Sequence, residues 1–165
     1  MVGLTGCIDG KPNDGVPGDS LGSYSVHATL ADSSCGPGAF GAPDAWDFQV
    51  KLSREGHTLY WLTGADLVAG TIDDAGTSFS FTAEVPLTIT QAKGGQAGCV
   101  IVRQDAAQGS LAGTTPQDVP SFAGTLTYGY VPKDGSNCDA IVAEARATGL
   151  PCAIKYTMAG THTGE

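Results

Sequence analysis

From Tyr24 onward, hydrophobic and polar residues alternate with a period of two, the spacing that sends successive side chains to opposite faces of a β-strand. Tyr24, Val26, Ala28 and Leu30 alternate with Ser25, His27 and Thr29. Phe48, Val50 and Leu52 alternate with Asp47, Gln49, Lys51 and Ser53, before the polar turn Arg54-Glu55-Gly56-His57. Both runs read as half-buried antiparallel strands. The next run, Thr58-Leu59-Tyr60-Trp61-Leu62, is apolar on both faces, which places it where two sides are covered or close to an opening. Leu67 to Ile72 forms a short strand stopped by Asp73-Asp74-Ala75-Gly76, residues that suit a hairpin turn. The clearest alternation sets Phe79, Phe81, Ala83, Val85, Leu87 and Ile89 against Ser80, Thr82, Glu84, Pro86, Thr88 and Thr90. Pro86 has no N–H to give to a ladder, so it marks an edge or a bulge. Further strands cover Cys99–Gln104 with an extension to Ala112, Phe122–Tyr130 and Cys152–Met158.

One segment, Ala140 to Ala147, reads as helix, with Asn137 or Asp139 as N-cap and Gly149 followed by Pro151 as the stop. This gives a short helix near 139–148, inside the last connection between strands. About eight strands with mostly short links and no βαβ alternation imply an all-β antiparallel meander. Such a meander hides its edges by closing into a barrel or by folding into two sheets. The expectation is a small barrel. The two-sheet β-sandwich stands as the alternative, because strand count and alternation do not separate the two.

Composition changes this picture little. With 165 residues, 41% hydrophobic and 15% charged, the chain can build one core and is too short for a second full domain. Charge changes it more: 17 acidic against 8 basic residues give a formal −9, which offers no footprint for a phosphate backbone. Nucleic acid is excluded as a partner on that ground.

The chain begins Met1-Val2-Gly3-Leu4-Thr5-Gly6-Cys7 and continues from Ile8 to Ser23 in Gly, Pro, Asp, Asn and Ser without an apolar period. That second stretch reads as a flexible tether. Its Asp9, Asn13, Asp14 and Asp19 complete no D-x-[DN]-x-[DN]-G calcium loop. Leu4-Thr5-Gly6-Cys7 resembles a bacterial lipobox, and with the tether the chain is similar to bacterial envelope lipoproteins that carry a disulfide-stapled β-domain. The resemblance implies cleavage before Cys7, lipidation of Cys7, and attachment to a membrane through that lipid. It divides the chain into a signal remnant with lipobox (1–7), a linker (8–23) and a single β-domain (24–165). It also implies export, as a lipoprotein of the outer membrane, cell surface or periplasm, with secretion as the alternative.

The cysteines agree with export. Setting Cys7 aside leaves Cys35, Cys99, Cys138 and Cys152, which allow three pairings. None lies in a C-x-x-C or beside a histidine at metal spacing, so no metal and no cofactor is expected. Cys138 and Cys152 flank the helical segment and are paired on that basis, leaving Cys35 with Cys99.

Little in the chain points to catalysis. His27, His57 and His162 stand apart from any nucleophile motif, and no G-x-S-x-G, H-E-x-x-H or P-loop occurs. Asp66, Asp73, Asp74, Glu84 and Asp105 are the acids from which a glycosidase-like pair would be drawn. Trp46, Tyr60, Trp61, Tyr128 and Tyr130 are the aromatics suited to lining a pocket and stacking on a flat ligand or a sugar. No lipocalin-type G-x-W is present, so barrel shape by itself implies no ligand. The leading expectation is a non-enzymatic exported domain that binds a small molecule, a glycan or an envelope protein. The alternatives are a surface or assembly protein, making protein–protein contacts through strand edges or the Ala31–Ala45 loop, and a hydrolase using paired acids.

Overall fold

The computed structural model describes residues 15–113 and 118–164. Cys7, its lipobox and the first part of the tether lie outside the described residues. Eight strands follow one another round a closed antiparallel barrel, each hydrogen-bonded to its neighbour in the chain and the last to the first. They are β1 (Asp19–Ser33), β2 (Ala45–Glu55), β3 (Thr58–Thr63), β4 (Asp66–Ile72), β5 (Ser78–Thr90), β6 (Cys99–Leu111), β7 (Ser121–Pro132) and β8 (Cys152–Gly164). The barrel is therefore the solution adopted, and the two-sheet sandwich is not. Closure removes the edges that an open meander would expose.

The period-two pattern fills the interior as expected. Tyr24, Val26 and Ala28 of β1 and Val50 and Leu52 of β2 are buried, and so are Ile154, Tyr156 and Met158 of β8. Between them the outward side chains are polar: His27, Asp47, Gln49, Thr157 and Thr161. A lipid-facing barrel would carry an apolar band there. Among the described residues no helix is long and apolar enough to cross a membrane.

One barrel end is plugged. Here the turns are tight at Gly56-His57 and Asp73–Thr77, and Phe79, Phe122, Ile72, Leu111 and Tyr24 close the interior. The fully buried Tyr24 hydroxyl lies 2.9 Å from the carbonyl oxygens of both Leu21 and Val119, so it pins the start of β1 to the β6–β7 connection. Burial pushes its ionisation up to about 12. Gly160 of β8 faces Phe122 across the β7–β8 register, and a side chain at Gly160 would occupy the space of that ring.

The other end carries the longer connections, 34–44, 91–98 and 133–151, and both disulfides. The bridges are Cys35–Cys152 and Cys99–Cys138, which corrects the expected Cys35–Cys99 and Cys138–Cys152 pairing. The reason is barrel closure. β1 and β8 are distant in sequence but adjacent in the wall, with Ser33 opposite Ile154, so Cys35 and Cys152 meet just beyond that pair. Cys99 opens β6, and the chain leaving β7 returns over it, Asn137 N–H donating to the Gly98 carbonyl at 3.0 Å.

The helix, α1 (Asp139–Glu144), is shorter than the sequence suggested, and its N-cap is Cys138 rather than Asn137 or Asp139. It ends early because Arg146 turns into the left-handed region (φ 57°) and Thr148 N–H donates instead to the Cys35 carbonyl at 2.8 Å. A second boundary also moves. β1 opens at Asp19, inside the expected tether, because Asp19 and Ser20 pair with Arg54 and Ser53 and the isolated Leu21 next to them enters the core. A lone apolar residue leaves no periodic signature.

Candidate functional site

Eight strands enclose just enough room for side chains to fill, or for one small ligand when they do not. In this barrel they do not. On the inner face of β5 and β6, Phe81 is followed by Ala83, and Ala107 and Asp105 stand opposite them. The small residues leave a cavity of about 490 Å³ between the plugged end and the loop end. That volume lies in the range of small-molecule sites. β1 and β8 contribute no residue to its wall.

The wall is aromatic. Trp46 and Phe48 of β2, Trp61 of β3, Phe81 of β5 and Tyr128 of β7 line it, with Val68 and Leu126 between them. The rings form a continuous series. Trp46 lies 5.6 Å from Phe48 and 6.2 Å from Tyr128, Phe48 lies 6.3 Å from Trp61, and Trp61 lies 5.4 Å from Phe81. Tilted and edge-to-face contacts of this kind hold each ring and leave faces free toward the space. The Trp61 indole N–H donates to Thr63 Oγ1 at 2.7 Å, which fixes the indole and leaves the Thr63 hydroxyl proton available. Tyr156 supports Trp46 from behind at 5.0 Å.

Polar groups are few. Asp105 receives both Nε (2.7 Å) and Nη2 (2.8 Å) of Arg103, two residues away on the same strand face. Its carboxylate therefore meets the cavity already paired. The Arg103 guanidinium carbon sits 5.5 Å from the Tyr128 ring centroid, a cation–π contact. Burial, helped by the nearby Asp105 charge, pushes the Tyr128 phenol up to about 12, so it is a neutral donor at ordinary pH. Asp66, the first residue of β4, stands exposed at the mouth.

Of the five aromatics singled out in the sequence, the structure brings Trp46, Trp61 and Tyr128 into one wall. Tyr60 faces outward, its hydroxyl 3.3 Å from Glu55. Tyr130 is taken by the fold: it stacks on Phe40 at 4.1 Å with the rings nearly parallel, under the segment that bridges the loop end. Their alternation marks Phe48 and Phe81 as strand core, and only barrel closure shows that they share a space with Trp61. Of the 31–45 region, expected as a long contact loop, β1 takes the residues up to Ser33 and β2 begins at Ala45, leaving 34–44 as the connection, which Phe40 N–H ties to the Ala145 carbonyl at 2.9 Å.

The acids disperse. Asp73 and Asp74 belong to the β4–β5 turn at the plugged end, and Glu84 accepts from Gln104 Nε2 at 3.2 Å. Asp66 and Asp105 line the same cavity, the second of them held by Arg103. His27 and His57 pair with Asp47 and Asp74 on exposed surface, at 2.7 and 3.6 Å. Among the described residues no group of three His, Cys, Asp or Glu side chains is placed to hold a metal.

Fold and site together define a disulfide-clamped, up-and-down eight-stranded β-barrel with an aromatic cavity open toward its loop end. The two bridges point to an oxidising, extracytoplasmic environment. No protein-family model, curated protein or solved structure matches the chain.

Proposed function

We propose that the chain is a non-enzymatic, exported binding domain that takes a small, largely apolar molecule into its barrel, and that it is held to a membrane through a lipid on Cys7. The observation that carries the binding reading is the unfilled cavity with Trp46, Phe48, Trp61, Phe81 and Tyr128 round it. A barrel needed only as a scaffold gains stability by filling such space, since each unfilled volume forfeits packing. The anchor rests on the lipobox-like Leu4-Thr5-Gly6-Cys7 and is supported by the polar outward face of the barrel.

The neutral fluorophore N-phenyl-1-naphthylamine tests the cavity. The expected result is a saturable, one-to-one rise in emission that Ala107→Phe abolishes, because the new ring occupies the space while the fold persists. Uptake unchanged in Ala107→Phe, with circular dichroism showing an intact barrel, overturns the binding reading. Mass spectrometry of the protein from its native source tests the anchor: acyl mass on an amino-terminal Cys7 is expected, and an unmodified Cys7 rejects it.

A further inference from the structure

The mouth of the cavity carries one uncompensated charge, and it is negative. Arg103 and Asp105 neutralise one another. Among the described residues Asp66 has no cation within ion-pair reach, and no Lys, Arg or His lines the wall; Arg103 reaches it only through its pair with Asp105. The rings that come closest to the loop end, Trp46 and Tyr128, add the negative faces of their π-systems, and Tyr128 already holds the Arg103 cation at 5.5 Å. The formal charge of −9 biases approach in the same sense. Beyond Asp66, the wall's side-chain acceptors are the Asp105 carboxylate, already engaged by Arg103, and the hydroxyls of Thr63, Thr82 and Tyr128. Such a wall is poorly suited to a primary ammonium with three N–H donors to satisfy, and better suited to a cation with none.

Resting on the cavity reading above, we infer that the ligand is an organic cation of the quaternary ammonium class. Its charged group lies at the mouth between Asp66 and the Trp46 and Tyr128 rings, and its apolar body lies against Phe48, Trp61 and Phe81. Attraction to ring faces and one carboxylate replaces hydration that a quaternary ammonium holds only weakly. An anion of the same size meets Asp66 without a free counter-charge. A neutral molecule keeps the apolar contacts and forgoes the rest.

The test uses the full chain labelled with nitrogen-15 and follows the indole N–H resonances of Trp46 and Trp61. Three probes of similar shape are titrated: phenyltrimethylammonium, its uncharged isostere tert-butylbenzene, and benzenesulfonate. The expected order is phenyltrimethylammonium about tenfold tighter than tert-butylbenzene, with benzenesulfonate weakest. Asp66→Asn is expected to reduce that preference to about threefold and to leave tert-butylbenzene unchanged, and added salt is expected to have the same effect. Equal binding of the cation and its isostere overturns the inference while the cavity reading stands. So does a preference that Asp66→Asn and salt both leave intact. If none of the three probes moves either indole, the cavity reading fails and the inference falls with it.

Discussion

The barrel has two seams of opposite character. β1 and β8 pair from Ser23 opposite Gly164 to Ser33 opposite Ile154, and Cys35–Cys152 fastens the end of that ladder. β4 and β5 pair only at Thr71 with Ser80 and Ile72 with Phe79, beside their own hairpin turn. Beyond those residues β4 and β5 diverge, and the cavity lining runs from Asp66 and Val68 on one strand to Phe81, Thr82 and Ala83 on the other. The strands of the fastened seam give the cavity nothing. The fully laddered β5, β6 and β7 line the cavity too, where Ala83 and Ala107 are too small to fill it, so the short β4–β5 ladder adds a gap in the wall to a space that small inner side chains leave.

The largest expected effects come from unfastening the first seam. In the loop-entropy picture, a bridge spanning 117 residues contributes about 5 kcal/mol and one spanning 39 about 4 kcal/mol. Cys35→Ser with Cys152→Ser should therefore lower the guanidinium midpoint further than Cys99→Ser with Cys138→Ser. The second pair should leave binding of the neutral fluorophore close to wild type, because it holds the cover over β6 rather than the wall. The reverse order of stabilities would place the fold's main clamp at that cover and end the contrast between seams.

Glycines sharpen the comparison at a lower energy. A Cβ at Gly124 of β7 would fall on the Gln108 carbonyl and Gly109 backbone of β6, inside a ladder that pairs along its whole length. Neither strand can retreat, so Gly124→Ala should cost about 2–3 kcal/mol by denaturant unfolding. A Cβ at Gly70 of β4 would meet the Ser80 carbonyl and the Phe81 ring just where the β4–β5 ladder ends, so only the β3 ladder opposes an outward shift of β4 there. Gly70→Ala should cost about 1 kcal/mol and change fluorophore affinity instead, since Val68 and Phe81 face each other across the opening. Equal destabilisation by the two substitutions would show that the β4–β5 side is as rigid as the rest.

Much of this was legible in the chain. Alternation of Tyr24, Val26 and Ala28, and of Phe79, Phe81 and Ala83, located strands and inner faces, because burial on one face writes itself into period two. Pro86 announced a strand without a partner on one side, and it lies in the stretch of β5 that β4 has left. What the pattern could not carry was non-local. Cys35 finds Cys152 only because β1 and β8 close the ring, and spacing along the chain favours the nearer Cys138. Trp46, Trp61 and Tyr128 were recognisable as aromatics with lining potential, yet nothing local distinguished them from Tyr130, which Phe40 covers, or Tyr60, which faces out. Phe48 and Phe81 looked like core because they alternate as core residues do. The empty space beside them depends on Ala83 and Ala107 being small on the facing strands.

The smallest effect concerns the joint of the loose seam. The turn joining β4 to β5 is held by Asp73, whose Oδ1 accepts from the backbone N–H of Thr77 at 2.7 Å and of Ser78 at 3.0 Å. Those two donors, Thr77 first, hold the Asp73 carboxyl below its usual range. A carboxyl with a lowered value in the fold stabilises it fully above the ordinary range near 3.9, and loses that contribution as pH falls through the lower folded value. Because Asp73 is solvent-exposed the effect on global unfolding should be slight, and hydrogen exchange is the sensitive measure. On acidification below about pH 4, amide exchange at Thr71, whose N–H faces β5, should accelerate relative to His27 and Thr29, whose N–H groups face β8. Asp73→Asn should remove the acid-dependent step and leave a constant, lower protection relative to the intrinsic exchange rate. If the β1 amides accelerate equally over that range in the native chain, the β4–β5 turn is no weaker than the fastened seam, and the open wall beside the cavity must be held by something other than that hairpin.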